Sequence, residues 1–359
     1  MYSINVKQVF DPNMWVKELN KFQYSIFITN NWLSAIAGSN ETSIYFDFKK
    51  GERTVAKIGG LSIENRKNKP NILYFYSGIA FKSFNEKLIH SCYNQLIIFA
   101  KTHGYDKVII KSYDYQEKFS SPITNLIVER IRWEYLVDLT LDENAIFSRF
   151  SKTMRRKIRN AGKYDSIIQE SKSFEILKLL MEYLDITREI RISKGYSYYN
   201  IFPFRNFDEH SLQYFLKNGS ATMFYVKTNN EIISIHFVLL SGQRSHLLLI
   251  GTTEKGYNLY APVFLEFHSM LLLKNKGYSV YNLGGIPYHP SHKGLIQYKK
   301  SLGAYKQTLM DQETLFLQFP LKILNPLLLI IDHLPDNRLS KLFKKALRKV
   351  IKLFIIDDD

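Results

Sequence analysis

The chain is short of the groups on which many enzyme mechanisms rest. Its 359 residues include one cysteine, Cys92. No disulfide can close within one chain, which fits a reducing compartment. Cys92 lies in an apolar helical pattern and reads as a packing residue. No Gly-x-x-x-x-Gly-Lys-Ser/Thr loop is present, which argues against ATP chemistry. No Gly-x-Ser-x-Gly elbow and no Cys–His pairing stand out, so no catalytic triad is read. Whatever is transferred must then arrive already activated. No run reaches the roughly 18 apolar residues that span a bilayer. The nearest, "ILNPLLLII" (Ile323 to Ile331), is short and carries Pro326. The start, "MYSINVKQVF", has no basic segment followed by an apolar run, so no signal peptide is expected. The cytoplasm is the expected compartment. Acids are scarce too: 33 against 49 Lys and Arg, a net charge of +16. That excess calls for an anionic partner: phosphate groups, nucleic acid or a membrane surface.

What is present is ample core, with 45% hydrophobic and 14% aromatic residues. The pattern also repeats. A helical periodicity over about Phe84 to His103 puts Leu88, Ile89, Cys92, Leu96, Ile97 and Ala100 on one face. It ends at Gly104, a left-handed cap, and a strand follows. A second runs from about Ala261 to Lys276, with Val263, Phe264, Phe267, Met270 and Leu271 on one face. It ends at Gly277. Gly104 and Gly277 are 173 residues apart, as are Gly78 and Gly251, which close the strands before these helices. Before each lies a hairpin, turning at Lys50-Gly51 and at Asn229-Asn230. Leading helices are read in "MWVKELNKFQ" and "FEILKLLMEYLDITREIRISKG". Matches in the same order argue for duplication. The fold expected is α/β, with a mixed sheet in each of two tandem domains. The boundaries are 1–145, 146–318 (including a basic link at 149–163) and a basic, amphipathic helical tail at 319–359.

Three stretches could carry chemistry. "RFSKTMRRKIRNAGKY" holds seven basic residues and no acid from Arg149 to Lys163. Phe150, Met154 and Ile158 can face a core, leaving Arg155, Arg156, Lys157 and Arg159 outward, where arginine forks suit phosphate oxygens. A solvated helix face is the bland alternative. "IGTTEKGYNLYAPVFLEF" is a strand, a loop with Gly256, and a helix opening at about Ala261. A helix start after a strand can hold an anion, or it is a plain turn. "YNLGGIPYHPSHKGLIQYKKSLGA" ends a strand at Gly284-Gly285, which lets a backbone or ligand come close. It then returns Tyr298, Lys299 and Lys300. His289 and His292 lack a third ligand nearby, so no metal centre is expected. His236 is a lone strand histidine and reads as structural. In the tail, seven basic residues lie between Arg338 and Lys352 beside an apolar helical stripe, which suits a membrane surface or packing on the body.

Together these residues resemble the Fem-type peptidoglycan peptidyltransferases, tandem GNAT-like acyltransferases. Family members close the second domain with strand-Gly-Gly, then Gly-Leu-x-x-Phe-Lys-x-x-Phe-Gly. Gly294, Leu295, Lys299 and Gly303 fit, while Tyr298 and Leu302 stand where phenylalanine is usual. "SKTMRRKIRNAGK" resembles the family's basic link, with Lys157 where asparagine is commoner. The likeness covers about residues 1 to 318, without the coiled-coil arm of some members.

The resemblance implies two GNAT-like domains with mixed, mainly antiparallel sheets flanked by helices. It implies transfer of an activated acyl group to an amine of a cell-envelope precursor, of peptidoglycan or surface polysaccharide. Acyl-CoA or aminoacyl-tRNA would be co-substrate, with no tightly bound cofactor. The partners implied are a nucleotide- or lipid-linked precursor and tRNA; peripheral contact with the inner face of the plasma membrane falls to residues 337–356. By position, Lys152, Arg155, Arg156 and Arg159 would bind acceptor phosphates in a cleft between the domains. Gly284, Gly285 and Tyr298 would also bind substrate, Gly256, Tyr257 and Ala261 would bind the donor, and Lys299 would be catalytic, stabilising charge near the reacting carbonyl. The alternative is a non-catalytic GNAT-like scaffold for RNA or anionic membrane.

Overall fold

The computed structural model describes residues 4–64, 69–116, 127–195, 200–202, 204–287 and 293–333. The chain divides into residues 1–130 with 310–359, and residues 131–309. The sequence reading sets the division at 145–146; contacts set it at Arg130 and Ile131.

The first unit opens with β1 (Asn5–Val9), α1 (Pro12–Leu19) and α2 (Asn30–Ile36). Asp11 and Thr29 cap the two helices by accepting from backbone N–H groups of the first turn. The hairpin follows: β2 (Glu41–Lys50) and β3 (Arg53–Ile63), turning at Gly51 with φ +56°. Next come β4 (Ile72–Phe75), β5 (Ala80–Phe81), α3 (Glu86–Thr102) and β6 (Lys107–Ile110). The sheet order is β1-β2-β3-β4-β6, and Gln312 and Glu313 add antiparallel to β6. Cys92 is buried on α3, and Gly104 adopts φ +75° behind that helix, as its periodicity predicts. Two lysines are buried here, each with an acid. Lys57 bonds Asp47 at 2.8 Å and reaches Glu18 at 3.2 Å, and Lys107 pairs with Glu313.

The second unit begins in β7 (Ile127–Asp138), then α4 (Glu143–Arg149), α5 (Lys152–Ala161) and β8 (Ser166–Ser171). After α6 (Phe174–Ser193) and α7 (Glu209–Lys217) comes the second hairpin, β9 (Ala221–Thr228) and β10 (Glu231–Ser241). Its turn residues Asn229 and Asn230 both take positive φ, +51° and +65°, the backbone a two-residue hairpin turn demands. Then follow β11 (Arg244–Thr252), α8 (Glu254–Asn258), α9 (Ala261–Asn275), β12 (Val280–Pro287), α10 (Lys293–Ser301) and β13 (Tyr305–Thr314). The sheet order is β7-β12-β11-β10-β9-β8. Gly277 takes φ +88°. Gly251 lets α6 lie close, since a Cβ there would stand 2.7 Å from Tyr183 and 2.9 Å from Leu180.

The duplication is visible in register. In the first unit the parallel pair β4–β6 starts at Ile72 and Lys107; in the second, β11–β12 starts at Arg244 and Val280. The pairs then diverge. β4–β6 runs through Phe75 and Ile110, and main-chain bonds from Lys111 N to Phe75 O and Tyr113 N to Tyr76 O carry it onward. β11–β12 stops at His246 and Asn282.

After β13 the chain forms α11 (Asn325–His333), tied down by the Asn325 side chain bonding Phe316 N and O, both at 2.8 Å. The tail beyond residue 333 lies outside the described residues. No described helix is long and apolar enough to cross a membrane.

Gly60 tests the first core. A Cβ there would stand 2.4 Å from the Phe75 ring and 2.5 Å from Tyr74 O. Overpacking against backbone costs ~1–3 kcal/mol. Gly60→Ala should therefore lower the urea midpoint with an unchanged m-value, and an unshifted midpoint would refute this packing.

Candidate active site

The site begins where the β11–β12 pair stops, because both strands bulge there. β11 carries one extra residue against β10, between Leu247 and Leu249. β12 carries one extra residue against β7, between Asn282 and Gly285. A bulge bends its strand and sharpens its twist. Gly284 makes the second bulge with φ +81°, a conformation that favours glycine. The two strands can then part beyond His246 and Asn282.

Polar groups hold this bulge. Asn282 Oδ1 accepts from Gly284 N at 2.8 Å, and Asn282 Nδ2 donates to Glu134 Oε2 at 2.8 Å. Glu134 is fully buried and lies 3.5 Å from Arg132 Nε. Gly285 faces that guanidinium: a Cβ there would be 2.4 Å from Arg132 Nη2. From α10, Lys299 Nζ donates to Leu283 O at 2.6 Å, Gly284 O at 2.9 Å and Gly285 O at 3.4 Å. Burial pulls the Lys299 ammonium down to about 8; Glu134 opposes that and Arg132 adds to it.

Beneath lies a buried polar cluster that the sequence reading did not assemble. His236 Nδ1 on β10 stands 3.3 Å from Glu266 Oε2 on α9, both side chains wholly buried. Burial pushes the Glu266 carboxyl up to about 8, against the pull of Tyr281 and Lys299. Burial drives the His236 imidazole down to about 3. Burial thus favours the neutral form of each, the cheap state for groups removed from water. The same burial raises the Tyr281 and Tyr298 phenols, and Glu266 raises them further. His236 is thus not the lone strand histidine of the sequence reading. Glu266 had a legible signal: it shares a helical face with Val263 and Met270, where an acid is out of place.

The remaining candidates form a second group. α5 buries Ile158 and Ala161, half-buries Met154, and carries Lys152, Arg156 and Arg159 exposed, with Arg155 half-buried. Arg159 lies over the Phe147 ring at 5.4 Å, and Lys157 over Tyr260 at 5.5 Å. Tyr260 precedes Ala261 with φ +59° and caps no N–H of α9 with its side chain. The expected loop at Gly256 is instead α8, capped by Thr253. Gly256 is packed on β10, since a Cβ would stand 2.2 Å from Ile233 O. Tyr257 sits 5.7 Å from Lys194 and acts electrostatically on Tyr298. Gly284, Gly285, Tyr298 and Lys299 thus gather at the parted strands, while α5 and residues 256–261 gather at the start of α9. His289 and His292 lie outside the described residues, among which no three His, Cys, Asp or Glu side chains cluster as for a metal.

Residues 148–300 match the family model described as an acetyltransferase (GNAT) domain. Over that stretch the chain is similar to a GNAT acetyltransferase domain. A crystal structure of FemX is 13% identical, covering 85% of this chain and 96% of its own, with a TM-score of 0.66. L-PGS from Bacillus licheniformis is 15% identical, covering 85% and 91%, with a TM-score of 0.54. At such identities these structures show the fold alone, an α/β arrangement that this chain shares with them. No curated protein matches. The matched region falls inside the second unit, and β11, β12, Glu266 and Lys299 all lie within it.

Glu266 yields a pH prediction. Its folded value is raised from the ordinary 4.5 to about 8. The stability gained by keeping it protonated is full below 4.5 and is lost as pH rises toward 8. Glu266→Gln keeps the shape without the proton. Its stability relative to the natural chain should rise between pH 5 and pH 8, by at least ~1 kcal/mol. Urea unfolding at the two pH values measures this; an equal difference at both would mean that the carboxyl is already ionised.

Proposed function

We propose that the chain transfers an activated acyl or aminoacyl group to an amine of an anionic cell-envelope precursor. The observation that carries this reading is the early end of β11–β12 pairing inside the stretch that matches a GNAT domain. The edge of β11 beyond His246 offers main-chain groups to an extended donor and to the oxygen of its carbonyl. The amine nitrogen attacks that carbonyl carbon, negative charge builds on the oxygen, and the bond to sulfur or oxygen then breaks. The amine proton ends on the leaving group. N–H groups fixed before reaction stabilise such charge best. The start of α9 supports a donor-phosphate site in this reading, with no side-chain cap and Lys157 over the neighbouring Tyr260 ring. The exposed arginines of α5 suit the acceptor's phosphates.

Acyl-CoA is the donor in the simplest form of this reading, and aminoacyl-tRNA is the alternative. The test is transfer of a labelled acyl or aminoacyl group from each to nucleotide-linked and lipid-linked muropeptides and amino sugars. Replacing Arg155 and Arg156 by Gln should raise the acceptor KM about 10-fold or more, since a hydrogen bond to a charged group contributes ~1.5–3 kcal/mol. Absence of transfer from either donor to every acceptor would end the reading and leave the non-catalytic scaffold.

Membrane contact has support of its own. Phe319, Ile323 and Leu327 are exposed at four-residue spacing beside Lys322, with no acid from Leu315 to Ile331. The basic stretch 337–356, outside the described residues, follows after a short segment with Asp332 and Asp336. An apolar stripe next to basic chain suits an anionic lipid surface.

A further inference from the structure

An ammonium group has three N–H bonds to give. Lys299 directs them at three carbonyls in a row, Leu283 O, Gly284 O and Gly285 O. The residue is 8% exposed. Two of those carbonyls belong to residues without a strand partner on either side. Pairing with β11 ends at Asn282, and pairing with β7 skips from Asn282 to Gly285. Leu283 and Gly284 thus lie where both ladders fail, and buried carbonyls seek a donor. Lys299 supplies it. A Cβ at residue 284 would stand at ordinary contact distance from the same group, 3.6 Å from Lys299 Nζ; what calls for glycine there is the φ of +81°.

We propose that Lys299 is a positioning residue: it takes the place of the missing ladder bonds, fixes the Gly284–Gly285 bulge, and so keeps β12 parted from β11. Its N–H groups are committed to the strand and none is left for the reacting carbonyl. Charge on that oxygen then falls to the main-chain N–H groups of β11. This role rests on the acyltransferase reading only for its purpose; the clamp itself is a statement about β12.

Two measurements separate the clamp from direct catalysis. The first is hydrogen exchange on the full chain, which needs no substrate. Lys299→Met, of similar length but without donors, should exchange at least tenfold faster at residues 283–286, with the amides of β9 unchanged. Lys299→Gln, which keeps two N–H donors, should fall between and serves as the test if the methionine variant does not fold. The second is kinetics with whichever donor the natural chain uses. Lys299→Met should raise the donor KM more than it lowers kcat. Unchanged exchange at 283–286, together with a hundredfold loss of kcat at constant KM, would overturn the clamp and place Lys299 on the reacting atoms. Absence of transfer by the natural chain would remove the acyltransferase reading, and the exchange result would still decide the clamp.

Discussion

The second unit is built around a parallel strand pair that is stopped after three residues. β11 and β12 pair at Arg244–Val280, Ser245–Tyr281 and His246–Asn282, and then both bulge. Everything nearby follows from keeping them apart. Gly284 supplies the backbone turn, Asn282 ties that turn to its own side chain, and Glu134 and Arg132 hold Asn282 from β7. Lys299 satisfies the carbonyls that the broken ladders leave behind. An interrupted sheet normally lets water in to solvate its free groups. Here a side chain does that work, so the opening keeps a defined shape.

The buried cluster below explains how such an opening rests on an apolar core. Glu266 and His236 occupy the interface of α9 with β10, the place where a Leu or Val would ordinarily sit. Their neutral forms avoid the cost of buried charge. Glu266 still acts on Tyr281, Tyr298 and Lys299 from one carboxyl. It links α9, whose start faces the basic α5, with β12 and α10, which carry the bulge and the clamp. A change of charge at that one carboxyl would be felt at Tyr281, Tyr298 and Lys299.

Much of this was legible in the sequence. The 173-residue repeat, the two hairpin turns, the glycine caps at Gly104 and Gly277 and the basic helix at α5 all rest on local signals: spacing, positive φ and periodicity. Lys299 beside Gly284-Gly285 followed from a family resemblance, and its contact with that pair is in the structure. The short elements α2, α4, α7 and α8 and the strands β7, β8 and β13 escaped, because each is too brief or too polar for periodicity to register. The role of Lys299 escaped for another reason. Three carbonyls converging on one ammonium require knowing where two ladders break, which is a property of register across strands far apart in sequence. The His236–Glu266 contact, between residues 30 positions apart, is of the same kind.

The two units show why only one needs such a device. In the first, the equivalent pair β4–β6 stays zipped through Lys111 N and Tyr113 N. The space at Gly78 is filled by the Tyr115 ring, 2.5 Å from where a Cβ would stand. Its buried lysines, Lys57 and Lys107, each sit against a carboxylate, as a buried cation does when its task is to hold a core together. Lys299 has carbonyls instead, and no carboxylate bonds it directly among the described residues. Its direct partners are carbonyl dipoles, and the nearby Glu134 acts on it electrostatically without bonding it. The corresponding strand pair is thus continued beside an aromatic ring in one unit, while in the other a lysine bonds the carbonyls where pairing ends.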